Sequence, residues 1–343
     1  MTRRTITLLV SAAFIVVLAG LVFFMPVPYV VLSPGPTLNT LGTDNNGNDI
    51  IVIKGGKTKT VSGHLNLTTV EVESDNITPA RAIAGWWEHD TVVVPRSAIF
   101  PPGQTTNDIE RQNTEDFTES QDYAVEAAAC ELGYPRGIGV ASVTAGSGAE
   151  KHLQPGDQLR SIDGAQVSSL DAVLTILKTK KQGQSVVVHV VRTGKETDVS
   201  VVLGAPADKD GAPRLGIKVQ DGCLMPFQVD IGLGNEIGGP SAGLMFALGI
   251  LEKVGPQDLT HGAYIAGTGE IDGNGKVGPI GGIALKMIAA RQAGATTFLA
   301  PADNCPDVRN NTPSGLNVVK VANLHGAVTA LADLAQGKAV PHC

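Results

Sequence analysis

Ser241 is the single hydroxyl in Gly239-Pro240-Ser241-Ala242-Gly243, at the head of the apolar run "LMFALGIL". The pentapeptide fits G-x-S-x-G, the pattern of a nucleophile elbow. A serine hydroxyl attacks a carbonyl when a neighbouring base takes its proton. Lys286 is the better candidate for that base. It is the only charged side chain between Lys276 and Arg291, and on a helix it shares one face with Ile283, Met287 and Ala290. A free lysine has a pKa near 10.4, and desolvation lowers it by about 3 units or more. The neutral amine that results can accept the serine proton. A second constellation, in the order Ser, Asp, His, drafts Asp307 and His325. It lacks the strand that should run directly into the serine, because "GNEIGG" stands there. The bland readings are a helix cap or spacer for Ser241, and for Lys286 a side chain that snorkels to solvent. Pro240 favours the first helical position, which moves the cap to Gly239. The backbone amides of Ser241 and Ala242 then lie at a helix start, where an oxyanion is stabilised with the helix dipole behind it.

The elements around these residues alternate in type. "PFQVDIGL" (226–233) is strand-like, and 240–254 reads as a helix. "AYIAG" is a strand, "GEIDGNGKVG" a turn-rich hairpin, and "GIALKMIAARQAGA" a helix. "TTFLAP" and "NVVKV" are strands, and "HGAVTALADLAQG" is a terminal helix. The expected fold is mixed α/β (α+β). Upstream, residues 29–73 alternate strand-like runs with Gly, Pro and Asn turns, and 79–90 reads as a short helix. "FPPGQTTN" reads as a loop, and 114–134 as a helix with acids early and alanines inside.

Composition narrows the function classes. The chain has 343 residues, 43% of them apolar, and a net charge of −7. No Lys/Arg-rich block stands out, so no nucleic-acid partner is expected. Arg3 and Arg4 precede an uncharged stretch from Ile6 to Met25, long enough as a helix to cross the roughly 30 Å core of a bilayer. Pro26 and Pro28 stop that helix. The arginines place the amino end in the cytoplasm and the rest outside, as a single-pass plasma-membrane protein anchored through residues 6–25. A cleaved signal peptide needs a shorter core and a small-x-small site, which the run into Val27–Leu32 does not offer. The four cysteines lie outside this span, where disulfides persist. Pairing Cys305 with Cys343 and Cys130 with Cys223 is favoured, with buried free thiols as the alternative. No Cys/His cluster has zinc spacing, so no metal or other cofactor is expected.

Residues 136–203 carry "GIGV" (137–140), "LQPGDQLRSIDGAQV" (153–167), an amphipathic helix and two alternating strands. This order resembles a PDZ domain. The resemblance implies a groove between a strand and the helix in which an extended peptide adds an edge strand. It assigns the carboxylate-binding loop to Arg136, Gly137, Ile138 and Gly139. "KDGAPRLG" (209–216) reads as a linker to the last domain.

"GGPSAG" (238–243), "GTGEIDGNGKVGPIGG" (267–282) and "GIALKMIAA" (282–290) resemble the proteolytic domain of Lon-type serine peptidases. With the anchor and the PDZ-like segment ahead of it, the chain is similar to the membrane-anchored, PDZ-containing Lon-like endopeptidases of bacteria. The resemblance implies polypeptide substrates, Ser241 as nucleophile, Lys286 as general base and Thr268 as a hydroxyl that orients the lysine. It implies a homo-oligomer, a hexamer by analogy. Many ATP-dependent Lon proteins carry an acid three residues before the serine, where this chain has Gly238, and no role falls to the nearby Glu236. Gly56-Lys57-Thr58 lacks the first glycine of a P-loop, with Ile51 in its place, so ATP-independent cleavage is expected. The boundaries on this reading are 1–28 for the stub and anchor, 29–133 for a β-rich segment with a helix, 134–204 for the PDZ domain and 205–343 for the proteolytic domain. The competing function is a catalytically inactive PDZ scaffold.

Overall fold

A computed structural model describes residues 3–343 apart from 45, 102, 207–210 and 234–236. Glu236 therefore lies outside the described residues, as do Lys209 and Asp210 of the 209–216 segment. Helix α1 (Arg3–Phe24) is long and apolar enough to cross a membrane and packs none of its side chains into the protein. The amino-terminal part continues with β1 (Tyr29–Asn39), β2 (Ile51–Lys54), β3 (His64–Glu73), α2 (Pro79–Trp87), β4 (Val92–Pro95), α3 (Arg96–Ile99) and α4 (Thr106–Glu131). A middle part holds β5 (Arg136–Val143), β6 (Gln158–Ile162), β7 (Ala165–Gln166), α5 (Leu170–Lys178), β8 (Ser185–Arg192), β9 (Lys195–Val202) and β10 (Ile217–Cys223). Then come β11 (Gln228–Ile231), α6 (Gly243–Val254), β12 (Tyr264–Gly267), β13 (Glu270–Ile271), β14 (Val277–Gly278), α7 (Ile283–Gln292), β15 (Thr297–Pro301), α8 (Cys305–Asn311), β16 (Asn317–Val321) and α9 (Leu324–Ala335).

The amino-terminal strands and the carboxy-terminal region build one sheet, in the order β16-β15-β12-β3-β1-β4. Strands β3, β12, β15 and β16 run parallel, with Leu65 opposite Ile265 and Ala266 opposite Phe298. Strand β11 pairs with β2, a second bond between the two parts. Against this frame lies α6, whose Leu244, Met245, Phe246, Ala247, Leu248 and Ile250 are all fully buried. A helix that is apolar all round needs neighbours on every side. Those neighbours include α4, α9 and β3.

Helix α4 begins at 106, eight residues before the start read from the sequence, and shortens the 100–107 loop. Thr105 and Asp108 form a capping box: the Thr105 side chain accepts from the Asp108 amide, and the Asp108 carboxylate accepts from the Thr105 amide at 3.2 Å. That T-x-x-D pattern was readable, but the polar stretch "NDIERQN" hid the helix because it has no apolar face of its own.

The middle part forms a second sheet, β10-β5-β6-β8-β9, with β7 on β6. Val186, Val188 and Val190 on β8 and Val199 and Val201 on β9 alternate inward, over Val173 and Leu177 of α5. Leu215 is buried in this same core, and Arg214 bridges to Gly204. The described part of 209–216 is therefore packed onto this domain and does not run free of it as a linker, and the sheet continues through β10 to Cys223, past the boundary expected at 204. A hydrophobic residue at 215 and the strand pattern "IKV" were the signals for this.

Candidate active site

Helix α7 carries Lys286 toward the middle of the molecule. Ile283, Met287 and Ala290 pack with Phe298 in one buried cluster, and Leu285 and Ala289 are buried beside them. With apolar contacts on both sides the lysine stem has no route to solvent, and Lys286 is only 4% exposed. The start of α7 approaches β3 closely: a Cβ on Gly282 would come within 2.8 Å of Val70, and its φ of +69° favours glycine.

The Lys286 Nζ lies 2.6 Å from Ser241 Oγ and 3.1 Å from Thr268 Oγ1. The Thr268 hydroxyl donates to the Ser241 carbonyl at 3.0 Å, leaving its oxygen to accept from the amine. Burial pushes the Lys286 ammonium down to about 8, against the pull of Glu270 in the other direction. Burial also raises the Glu270 carboxyl, Asp116 adds to the rise, and Lys286 opposes it.

Ser241 precedes α6 and is not within it. The helix starts at Gly243 with Ala242 as its cap, which corrects the start expected at Pro240 with Gly239 capping. Tertiary hydrogen bonds hold the turn out of the helix. The Ser241 carbonyl also accepts from the Gly269 amide at 2.8 Å, and the Pro240 carbonyl accepts from Ser120 Oγ at 2.9 Å. The Gly239 amide donates to the Asn113 carbonyl, and Gly239 has φ +83°. Helix α4 thus forms one wall of the serine turn, a contribution the sequence reading missed. A Cβ on Gly243 would come within 2.7 Å of both Ile271 and Ser120, so only glycine lets the helix start approach so closely. A Cβ on Gly238 would meet Asn113 at 2.9 Å, which leaves no space for an acid at that position. Among the described residues, the amides of Ser241 and Ala242 donate to no acceptor, and they stand at the amino end of α6.

The alternative base is elsewhere. His325 is an exposed residue at the start of α9, hydrogen-bonded to Glu131 at 2.8 Å, and Asp307 is exposed on α8. Neither is hydrogen-bonded to Ser241. The disulfides join Cys130 to Cys223 and Cys305 to Cys343.

Arg136, Gly137, Ile138 and Gly139 do not line an open edge. They pair with Cys223, Gly222, Asp221 and Gln220 of β10, and Gly139 also pairs with Gln158 of β6. Arg136 turns to Asn274, at 3.0 Å. On the β10 side this strand is already paired along its length, so a peptide cannot add there. Among the described residues the sheet ends on this side in β10, which lies next to α5 and follows Gly216 in the left-handed region at φ +82°.

Thr268→Val is expected to lower kcat about 10²-fold, the scale of loss for a misplaced catalytic group, with KM little changed. Steady-state kinetics on a peptide substrate checks this. An unchanged kcat would mean that the threonine does not position the amine.

Residues 235–332 match the family model of the Lon protease (S16) C-terminal proteolytic domain, and residues 108–203 match that of a PDZ domain. A Lon protease of Roseiflexus castenholzii is 38% identical over 89 residues, 25% of this chain and 11% of that one. Lon protease 2 of Bacillus subtilis is 45% identical over 87 residues, 24% of this chain and 15% of that one. A Lon protease of Rickettsia typhi is 28% identical over 189 residues, 52% of this chain and 24% of that one. The chain thus spans less than a quarter of the length of these curated relatives. Among solved structures, the PDZ domain of the SdrC-like protein of Listeria innocua is 30% identical, with 24% of this chain and 93% of that one covered and a TM-score of 0.23.

Proposed function

From a chain that carries a PDZ domain and a Lon-type S16 proteolytic domain, we propose a serine endopeptidase in which Ser241 is the nucleophile and Lys286 the general base. The observation that carries this reading is the 2.6 Å approach of a buried amine to the serine hydroxyl. With a pKa of about 8, close to one lysine in ten is neutral at pH 7. In that state the Ser241 hydroxyl donates to Nζ. As Oγ bonds to the scissile carbonyl carbon, its proton passes to the amine. The negative charge gathers on the former carbonyl oxygen, opposite the amides of Ser241 and Ala242. When the C–N bond breaks, Lys286 returns its proton to the leaving amine. Water, deprotonated by the same lysine, then hydrolyses the acyl-enzyme. Thr268 keeps the amine aimed at Oγ.

The substrate is an extended polypeptide. In this reading the outer edge of β10, beside α5, is where a peptide adds as a further strand for recruitment or gating. Helix α1 holds the protein in the plasma membrane with the amino end inside, and the two disulfides fit an extracytoplasmic catalytic part. No P-loop pattern occurs in these 343 residues, so cleavage proceeds without ATP on unfolded or membrane-tethered chains.

A serine-reactive phosphonate probe and an unfolded reporter protein test the reading together. The wild type is expected to take the label and degrade the reporter without ATP, and Ser241→Ala to do neither. Equal labelling of the two would remove Ser241 from the mechanism. A wild type that neither labels nor cleaves would favour the scaffold function.

A further inference from the structure

The chain holds two tryptophans, adjacent in sequence, and both are exposed: Trp86 by 61% and Trp87 by 82%. They sit on α2, a nine-residue helix started by Thr78 as cap and Pro79 in its first turn. Its inner face is small: Ala82 and Gly85 are buried. A Cβ on Gly85 would come within 2.8 Å of Val93, so the helix is pressed onto β4. The outer face carries Ile83, Trp86 and Trp87, at i, i+3 and i+4. The exposed Val92 and Ile99 lie on the adjoining β4 and α3. Water-facing helix surfaces ordinarily carry charge, and a cluster of this kind marks an interaction site.

The location of the cluster identifies its partner. Helix α1 ends at Phe24, and the first residues after it are bonded to these same elements. The Val27 amide donates to the Ile77 carbonyl at 2.7 Å, immediately before the cap of α2. The Arg96 amide, at the start of α3, donates to the Pro28 carbonyl at 2.9 Å. Tyr29 meets the Trp86 ring edge-on, with centroids 6.3 Å apart. An anchor leaving a bilayer at residues 25–28 therefore brings α2 and α3 down to the surface it leaves. Tryptophan is enriched at that depth because its ring is apolar and its N–H is polar.

We infer that the Ile83–Trp86–Trp87 face of α2, with Ile99 of α3, docks into the headgroup–acyl boundary of the membrane that α1 spans. The docking rests on the anchor proposed above. It adds a second point of attachment to the anchor and sets the active-site turn at a fixed height over the lipid. The substrates this favours are chains held at the membrane surface.

Trp86 and Trp87 supply all tryptophan emission, so the patch reports on itself. The full chain is placed in bilayer nanodiscs of phosphatidylcholine and phosphatidylglycerol, with ordinary or brominated acyl chains. Trp86→Phe and Trp87→Phe leave one reporter each. In both variants emission is expected to lie to the blue of free tryptophan, to lose intensity in brominated lipid, and to resist quenching by aqueous acrylamide. Emission unchanged by bromination overturns the docking, including the case of a blue emission caused by pairing of two copies through the patch. Flotation with liposomes separates the two claims. A chain that floats but keeps water-exposed tryptophans disproves the docking alone, and a chain that fails to float disproves the anchor and the docking with it.

Discussion

Lys286→Met is expected to abolish peptide cleavage and at the same time to make the protein more stable at neutral pH. The loss follows from the role proposed for the amine: without it the Ser241 hydroxyl would have no base, and serine enzymes stripped of their base lose about 10⁴-fold or more in kcat. The gain follows from burial. The ammonium form falls from an ordinary 10.5 to about 8 in the folded protein, which amounts to roughly 3 kcal/mol at ~1.36 kcal/mol per unit. Below pH 8 both folded and unfolded chains carry the proton, and the folded state bears the whole cost of the buried charge. Between 8 and 10.5 the unfolded chain holds the proton and the folded chain does not, so the wild type gains stability as pH rises through that window. The advantage of the methionine variant is therefore largest below pH 8 and gone near 10.5. Denaturant melts of both proteins at pH 7 and pH 10 check this. The activity of the wild type has the complementary profile: kcat/KM rises with pH as the amine loses its proton and levels off above about 8. A flat profile from pH 6 to 9, with the methionine variant still active, would end the assignment of the base.

The second large effect concerns the junction between the inserted sheet and the catalytic frame. Cys223 closes β10 and is bonded to Cys130 on α4, 93 residues earlier. Around it, Lys218 of β10 pairs with Asp122 of α4, and Glu126 fills the space over Gly222 and Gly273. A Cβ at either glycine would fall within 2.3 Å of the Glu126 carboxylate. Burial raises that carboxyl, and Arg136 opposes the rise. Cys130→Ser with Cys223→Ser is expected to cost on the order of 4 kcal/mol, from the freedom a loop of this length regains in the unfolded chain. At a few degrees per kcal/mol the melting temperature falls by about 10 °C. Calorimetry of the double variant, with the Cys305–Cys343 bond intact, checks this. A change of under about 2 °C would mean that the non-covalent contacts alone hold the junction. Activity is expected to fall as well, because α4 also carries Asn113 and Ser120, which hold the serine turn.

What sequence reading could reach here was local. The serine turn, the lysine among small apolar residues and the uncharged stretch after Arg4 are short patterns whose chemistry is visible within a few turns of chain. The helix around Lys286 and the valine-rich strands 185–202 announced themselves by period. The partners of those elements did not. Residues 29–73 read as strands without assigned partners, either a domain of their own or packed on the proteolytic domain with the PDZ domain inserted, and the pairing of His64 to Leu67 with Tyr264 to Gly267, about two hundred residues away, decides for the second. The PDZ resemblance points to a peptide-binding loop at Arg136–Gly139, and only the placement of β10 beside that strand moves the sheet edge to Ile217–Cys223. Ser241 looked like a first-turn residue from Pro240, and bonds from Thr268, Gly269 and Ser120 hold it outside the helix.

The sequence by itself determined which groups can react and which segment is apolar enough to enter a membrane, because these are properties of side chains and of consecutive residues. The tertiary structure decided how far the amine lies from the hydroxyl, which strand lies at an edge and which helix walls the serine turn. Those depend on pairings and packing across tens to hundreds of residues, and no local period encodes them.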